Sequence, residues 1–111
     1  MTNIDITPMT SRLAEEYWGS MPPLTVRGIA AIQDGRVIGL AGVCLMGTFW
    51  MVFSDTDDVF WKDKRAVVRA VRAIRKLIEN LTLPVYAMVQ EDKEKAEEFI
   101  EHVGGIEKWL S

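Results

Sequence analysis

The sequence predicts an α+β protein in which a mixed, mainly antiparallel sheet of about 6 strands is flanked by about 3 helices. Two observations carry most of this prediction. Asp34-Gly35 stands between two apolar runs, which is the strongest short-range signal of a β-hairpin. Apolar residues recur at helical spacing between residues 67 and 78 and predict a long amphipathic helix. With 111 residues, the chain makes a single domain, residues 1–111.

The first half of the chain predicts a strand, a helix and then the hairpin. Ile4 and Ile6 alternate with polar residues, which predicts a short first strand. Arg12–Trp18 carries apolar residues at helical spacing and is followed by Gly19, so we expect a helix that ends there. The two hairpin strands flank residues 34 and 35, and the glycines within them predict bulges or close backbone contacts.

The second half predicts a strand, an acidic loop, a basic helix and a strand–helix–strand end. Thr48–Ser54 is an apolar run, and residues 54–58 are interpreted as the acidic loop. The helix that follows is called basic because of its cations, which are Lys62, Lys64, Arg65, Arg69, Arg72, Arg75 and Lys76. Beyond it we expect a strand over Val85–Val89, a helix over Lys93–Val103 and a closing strand over residues 106–110.

This order of elements resembles the GNAT family of acyl-CoA N-acyltransferases over nearly the whole chain. The most specific part is Val103-Gly104-Gly105-Ile106, preceded by Ala96 and Phe99, which is similar to the end of the family's fourth helix and its turn into the sixth strand. The resemblance implies a GNAT-like fold in which acetyl-CoA binds between splayed fourth and fifth strands.

The resemblance also implies which residues would contact the cofactor. They are Val52, Phe53 and Ser54, whose backbone would pair with the pantetheine arm, and Lys64, Arg65, Ala66 and Val67, which would hold phosphate. The family's phosphate loop is similar to Gln/Arg-x-x-Gly-x-Gly/Ala, and the matching residues here are Lys62, Arg65 and Val67. Glycine allows a phosphate to approach the backbone closely, so side chains at these positions imply a degenerate cofactor motif.

The sequence leaves the catalytic residues unknown. Many members of the family use a tyrosine as general acid, and the matching position here is Ile100, which cannot transfer a proton. The strand Phe49–Phe53 carries no carboxylate that could act as base, and Asp55 at its end is the remaining candidate. The run from Trp50 to Ser54-Asp55, followed by the helix rich in lysine and arginine, also resembles small GNAT-like proteins of tailed bacteriophages, some of which are virion-associated.

The charge distribution predicts a partner for the basic helix. Its cations can neutralise coenzyme A phosphates, nucleic acid or an acidic protein surface, or they can form an ordinary solvated face. A second segment is acidic, with Glu91, Asp92, Glu94, Glu97, Glu98 and Glu101. The two segments can face each other or drive self-association. The net charge of −3 and the lack of a reading motif argue against a nucleic-acid partner.

Other classes of function receive little support. No apolar run approaches the roughly 20 residues that cross a bilayer, and the N-terminal residues lack the pattern of an export signal. We therefore expect no membrane partner and a cytoplasmic protein, or one incorporated in a virion. The single cysteine, Cys44, is interpreted as a buried, inert thiol in a strand, and the lone histidine, His102, as a surface residue. Neither residue type is present in the number that a metal site requires.

Among the aromatic residues, Trp50 is predicted to lie in the core. For Phe60 and Trp61 the sequence leaves two interpretations, a plug in the core and an exposed contact. If they fill the space between the fourth and fifth strands, the acyl-carrier groove is closed.

Two hypotheses follow. The chain is either a GNAT-like accessory protein, phage-encoded or virion-associated, with weak or no catalysis, or an active acetyl-CoA-dependent N-acetyltransferase that acts on an amine. An open slot between the fourth and fifth strands favours the enzyme.

Overall fold

The computed structural model describes residues 3–89 and 107–110, with side chains for residues 3–87. Its strands and helices follow the chain in this order: β1 (Asp5–Pro8), α1 (Ser11–Trp18), β2 (Val26–Gln33), β3 (Arg36–Leu45), β4 (Trp50–Thr56), α2 (Asp58–Lys62), α3 (Lys64–Glu79), β5 (Val85–Val89) and β6 (Glu107–Leu110). The helix predicted over Lys93–Val103, together with Ile100, His102 and Gly104-Gly105, lies outside the described residues.

The strands form one mixed sheet in the order β1-β2-β3-β4-β5-β6. The pairs from β1 to β4 are antiparallel, whereas β5 pairs in parallel with both β4 and β6. Five of these strands lie between residues 5 and 89, and β6 adds a short strand beyond them. The predicted α+β class and the mixed, mainly antiparallel sheet are confirmed.

The β2–β3 hairpin turns at the predicted residues. Asp34 and Gly35 have φ values of 55° and 74°, as a two-residue hairpin loop with a positive φ at both positions requires. Gly28 and Gly42 lie opposite each other on β2 and β3. A Cβ on Gly42 would stand 2.1 Å from the Arg27 carbonyl oxygen, so this close approach of two strands requires glycine.

Helix α1 covers one face of the sheet. Thr10 caps it by accepting a hydrogen bond from the Leu13 amide at 3.2 Å, and Gly19 ends it in the left-handed conformation. Ala14 is fully buried against residues of β2 and β3, including Ala30 and Leu40. Tyr17, Trp18 and Phe53 border this cluster.

Helices α2 and α3 cover the opposite face. The buried stripe of α3, which is Ala66, Ala70, Val71 and Ile74, packs against β2 and β3 residues such as Ile29, Ala31, Ile38 and Ala41. Ala30 belongs to the α1 face and its neighbours Ile29 and Ala31 to the α3 face, as alternation along a strand requires. The predicted amphipathic helix is confirmed, with its cations exposed on the side away from the sheet.

The acidic loop predicted at residues 54–58 is wrong. Ser54 and Asp55 belong to β4, which continues to Thr56, because they pair with Ala41 and Leu40 of β3. Asp57 precedes α2, and Asp58 is the first residue of that helix. Pairing with a buried neighbouring strand outweighs the low strand propensity of aspartate.

Candidate functional site

The seam between β4 and β5 is the place where the predicted acyl-carrier slot would lie. The two strands pair only at Trp50 with Val85 and at Met51 with Tyr86, although β4 continues to Thr56 and β5 continues to Val89. Beyond Met51, the backbone of β4 retains its pairing with β3 but has no ladder partner in β5. An extended ligand could form main-chain hydrogen bonds along such an edge.

The predicted contact residues on β4 follow this unpaired stretch. Val52 packs towards the α3 face beside Val43 and Trp50, and Phe53 packs on the α1 face with its ring centroid 5.5 Å from that of Trp18. Ser54 pairs with Ala41 and is half-buried. The side chains of Val52 and Phe53 therefore serve the core, which leaves the backbone as the part of this segment that a ligand could contact.

The first turn of α3 holds the other four predicted contact residues, and a carboxylate caps it. Asp63 accepts a hydrogen bond from the Ala66 amide through its side chain, at 3.1 Å, and from the Val67 amide through its carbonyl, also at 3.1 Å. Lys64 and Arg65 are exposed, whereas Ala66 is fully buried. A helix N-terminus binds anions through free amides. Here the Asp63 carboxylate occupies that position and adds a negative charge to it.

The aspartates of β4 and the β4–α2 turn bind α1 instead of facing α3. The Asp55 carboxylate accepts a hydrogen bond from Trp18 Nε1 at 2.9 Å, and the Asp57 carboxylate accepts one from the Tyr17 hydroxyl at 3.0 Å. Sequence reasoning treated Tyr17 and Trp18 only as apolar helix residues and missed these contacts. The phenol and indole donors of these two residues, which come just before the Gly19 helix end, are the sequence signal that could have predicted such contacts.

Burial raises the pKa of Tyr17 far above the ordinary value of a phenol, and the hydrogen bond to Asp57 and the charges of Asp57 and Asp55 raise it further. A phenol with such a pKa keeps its proton and is a poor acid at neutral pH. Asp55, the candidate base, is occupied by the Trp18 indole. The described residues around β4 therefore hold this end of the sheet against α1.

A basic groove lies on the opposite side of α3 from the seam. It is a depression of about 540 Å³, lined by Asn3, Asp5, Asp63, Lys64, Arg65, Val68, Arg69 and Arg72. Arg69 Nη2 donates to the Ile4 carbonyl at 2.6 Å and so fixes one wall of the groove to β1. Because β2 and β3 separate β1 from β4, the groove and the seam are three strand spacings apart, or about 14 Å.

The predicted core position of Trp50 is confirmed, since it is 6% exposed and the Arg27 guanidinium lies 5.5 Å from its ring. Phe60 is a core plug, 1% exposed, and Trp61 packs edge-to-face on it at 5.1 Å. Phe60 contacts the cluster under α3, which includes Ile38, and not the cluster at the seam. The aromatic pair therefore does not close the space between β4 and β5.

Cys44 is half-buried, and its thiol donates to the Met46 sulfur at 3.9 Å. Burial raises the pKa of Cys44, so the thiol is not an activated nucleophile. Within residues 3–89 and 107–110, no cluster of three or more histidine, cysteine or acidic side chains could hold a metal ion. The same described part of the chain contains no helix that is long and apolar enough to span a bilayer.

Comparison with known proteins identified no family. No family model, no curated protein and no solved structure matches this chain. The resemblance to GNAT proteins therefore stays a prediction from the sequence, and functional inference depends on the seam, the capped helix and the basic groove.

Proposed function

We propose that this chain is a GNAT-like accessory protein with weak or absent acyl transfer, and that it contacts an acidic protein surface through the basic groove. The setting suggested by the sequence, a phage-encoded and virion-associated protein, is part of the proposal. The observation that carries it is the hydrogen bond from the Ala66 amide to the Asp63 carboxylate at 3.1 Å.

This hydrogen bond matters because a coenzyme diphosphate needs the amides at the start of α3. A bound diphosphate would have to displace the Asp63 carboxylate or lie beside it. Two like charges about 4 Å apart repel by about 1 kcal/mol even at the dielectric constant of water, and by more near a protein surface. The exposed side chain of Arg65 adds bulk where the family's loop has glycine, whereas the Val67 side chain packs on the core under α3.

The basic groove, in contrast, favours a negatively charged protein partner. Lys64, Arg65 and Arg72 are exposed along one side of α3, and Val68 among them is 46% exposed. An apolar centre surrounded by cations suits a protein segment that carries carboxylates around a few apolar contacts.

The test is the binding of a fluorescent poly-glutamate peptide, followed by anisotropy at low salt. We expect wild-type protein to bind it and the double variant Arg65→Gln/Arg72→Gln to bind it about tenfold more weakly, since each exposed ion pair contributes up to about 1 kcal/mol. Lys76→Gln, on the same helix outside the groove, is the matched control and should bind like wild type. Equal binding by the double variant and the control would contradict the proposal.

A second candidate function is acetyl-CoA-dependent N-acetyl transfer to an amine. The early end of β4–β5 pairing favours it, because an extended pantetheine could pair with the backbone of Val52, Phe53 and Ser54. The seven cofactor residues predicted from the sequence belong to this candidate. Proximity of the two substrates would then supply most of the catalysis.

The two candidates differ in thiol release from acetyl-CoA. We expect purified protein mixed with acetyl-CoA and a panel of small amines and lysine peptides to release no more free coenzyme A than a heat-inactivated control. Release that saturates with acetyl-CoA and depends on the amine would favour the enzyme.

A further inference from the structure

The cations of the basic groove form a surface that suits an acidic partner. These cations cover α3 from Lys64 to Arg72, a rise of eight residues or about 12 Å. All four are exposed, and Arg69 also donates a hydrogen bond to the Ile4 carbonyl. The groove is thus a preformed cationic surface about two helical turns long.

The strongest charge complement to this surface is in the same sequence. Residues 91–101, here called the acidic segment, carry six carboxylates against two lysines, with apolar residues between them. We propose that the groove binds the acidic segment of a second copy of this chain. This inference rests on the proposed function and names the partner.

The groove and the strands that the acidic segment connects indicate how copies would associate. The acidic segment leaves β5 at Val89 and rejoins the sheet at Glu107 in β6, whereas the groove lies at β1. Between β1 and β5 there are four strand spacings, about 19 Å. The strands to which the acidic segment is attached, β5 and β6, therefore lie at the opposite edge of the sheet from the groove. An interface between the groove of one copy and the acidic segment of another is heterologous, and copies add head to tail into rings or open chains.

A protein segment fits the groove better than nucleic acid does. Asp5 and Asp63 belong to its lining and would repel a continuous row of phosphates, but they tolerate spaced carboxylates with lysines between them. A length of about 12 Å also spans few phosphates, and the net charge of −3 repels a polyanion at longer range.

The experiment is sedimentation velocity on the full chain, from low to high micromolar concentration and from low to high salt. We expect the mean mass to rise with concentration at low salt and to fall towards that of the monomer at high salt, because screening weakens exposed ion pairs. Arg65→Gln/Arg72→Gln and, separately, Glu97→Gln/Glu98→Gln should each weaken association about tenfold. Lys76→Gln should associate like wild type.

Mixing the two double variants makes the test specific. One retains a wild-type acidic segment and the other retains a wild-type groove, so the mixture should recover a single interface and form a one-to-one dimer. Neither variant alone should do so. Recovery on mixing supports the proposal, and a mixture as monomeric as its components overturns it.

Self-association and poly-glutamate binding, measured together, separate this inference from the proposed function. If wild-type protein is monomeric at every concentration but its groove binds poly-glutamate, the second copy is not the partner and the proposed function stands. If wild-type protein neither self-associates nor binds poly-glutamate, both are overturned. Binding of single-stranded DNA in preference to poly-glutamate would overturn the choice of a protein partner.

Discussion

The Asp63 side chain caps α3, and we expect its carboxylate to control both the stability of the helix and the access of anions to it. Asp63→Ala removes the hydrogen bond to the Ala66 amide and the negative charge at the helix N-terminus. Loss of an N-cap costs about 1 kcal/mol, and loss of the favourable charge adds about 0.3–1 kcal/mol. We therefore expect the free energy of unfolding to fall by about 1–2 kcal/mol, which lowers the melting temperature by about 4–8 °C.

Urea unfolding followed by circular dichroism measures this change, and two variants control for it. Asp63→Asn keeps a capping side chain but loses the charge, so its free energy of unfolding should fall by only about 0.3–1 kcal/mol. Asp58→Ala removes an exposed carboxylate from the first turn of α2, where no cap hydrogen bond is lost, and should lie within about 0.5 kcal/mol of wild type. If Asp63→Ala is as stable as Asp58→Ala, the capping role assigned to Asp63 is refuted.

The same variants test the electrostatic part of the reasoning. Removing a charge about 4 Å from a phosphate relieves about 1 kcal/mol of repulsion, or about fivefold in affinity. Acetyl-CoA should therefore bind Asp63→Ala at least about fivefold more tightly than wild type, as measured by isothermal titration. Unchanged affinity would show that the carboxylate does not control the site.

Phe60→Ala should lower the free energy of unfolding, measured in urea, by about 3–5 kcal/mol, because Phe60 is 1% exposed in the core under α3. A loss below about 1 kcal/mol would refute the assignment of Phe60 as a core plug. Gly42→Ala should cost about 1–3 kcal/mol by the same assay, since its Cβ would stand 2.1 Å from the Arg27 carbonyl oxygen, and wild-type stability would contradict the close approach of β2 and β3. Tyr17→Phe tests a pH dependence. The folded-state pKa of Tyr17 is raised, so its stabilising contribution is complete below the unfolded-state pKa of about 10 and is lost as pH rises above it. The stability difference between wild type and Tyr17→Phe should be constant from neutral pH to about pH 9 and should shrink at higher pH. A difference that stays the same above about pH 10 would contradict this prediction.

Local patterns predicted most of the described fold. The Asp34-Gly35 turn and the apolar stripe of α3 were predictable because each depends on residues close together in the chain. The extension of β4 through Asp55 and Thr56 was not, because it depends on pairing with Gly39 and Leu40 of the neighbouring strand. The break at Asp63 between α2 and α3 was also missed, although an aspartate before an apolar helix is a typical cap.

The candidate site was less predictable than the fold. The basic groove is lined by Asn3 and Asp5, which lie beside α3 although they are about sixty residues away from it in sequence. The contact between Tyr17 and Asp57 joins residues forty positions apart. Both depend on which strand lies at the sheet edge and which face α1 covers, and periodicity within a segment carries no information about either.

We propose that the start of α3 is closed to a coenzyme's diphosphate by the Asp63 carboxylate. The most direct test is a titration of isotopically labelled protein with acetyl-CoA, observed through the backbone amide resonances of Lys64, Arg65, Ala66 and Val67. We expect these four resonances to stay in place in wild-type protein and to shift with ligand in Asp63→Ala. Saturable shifts of all four in wild-type protein would contradict it.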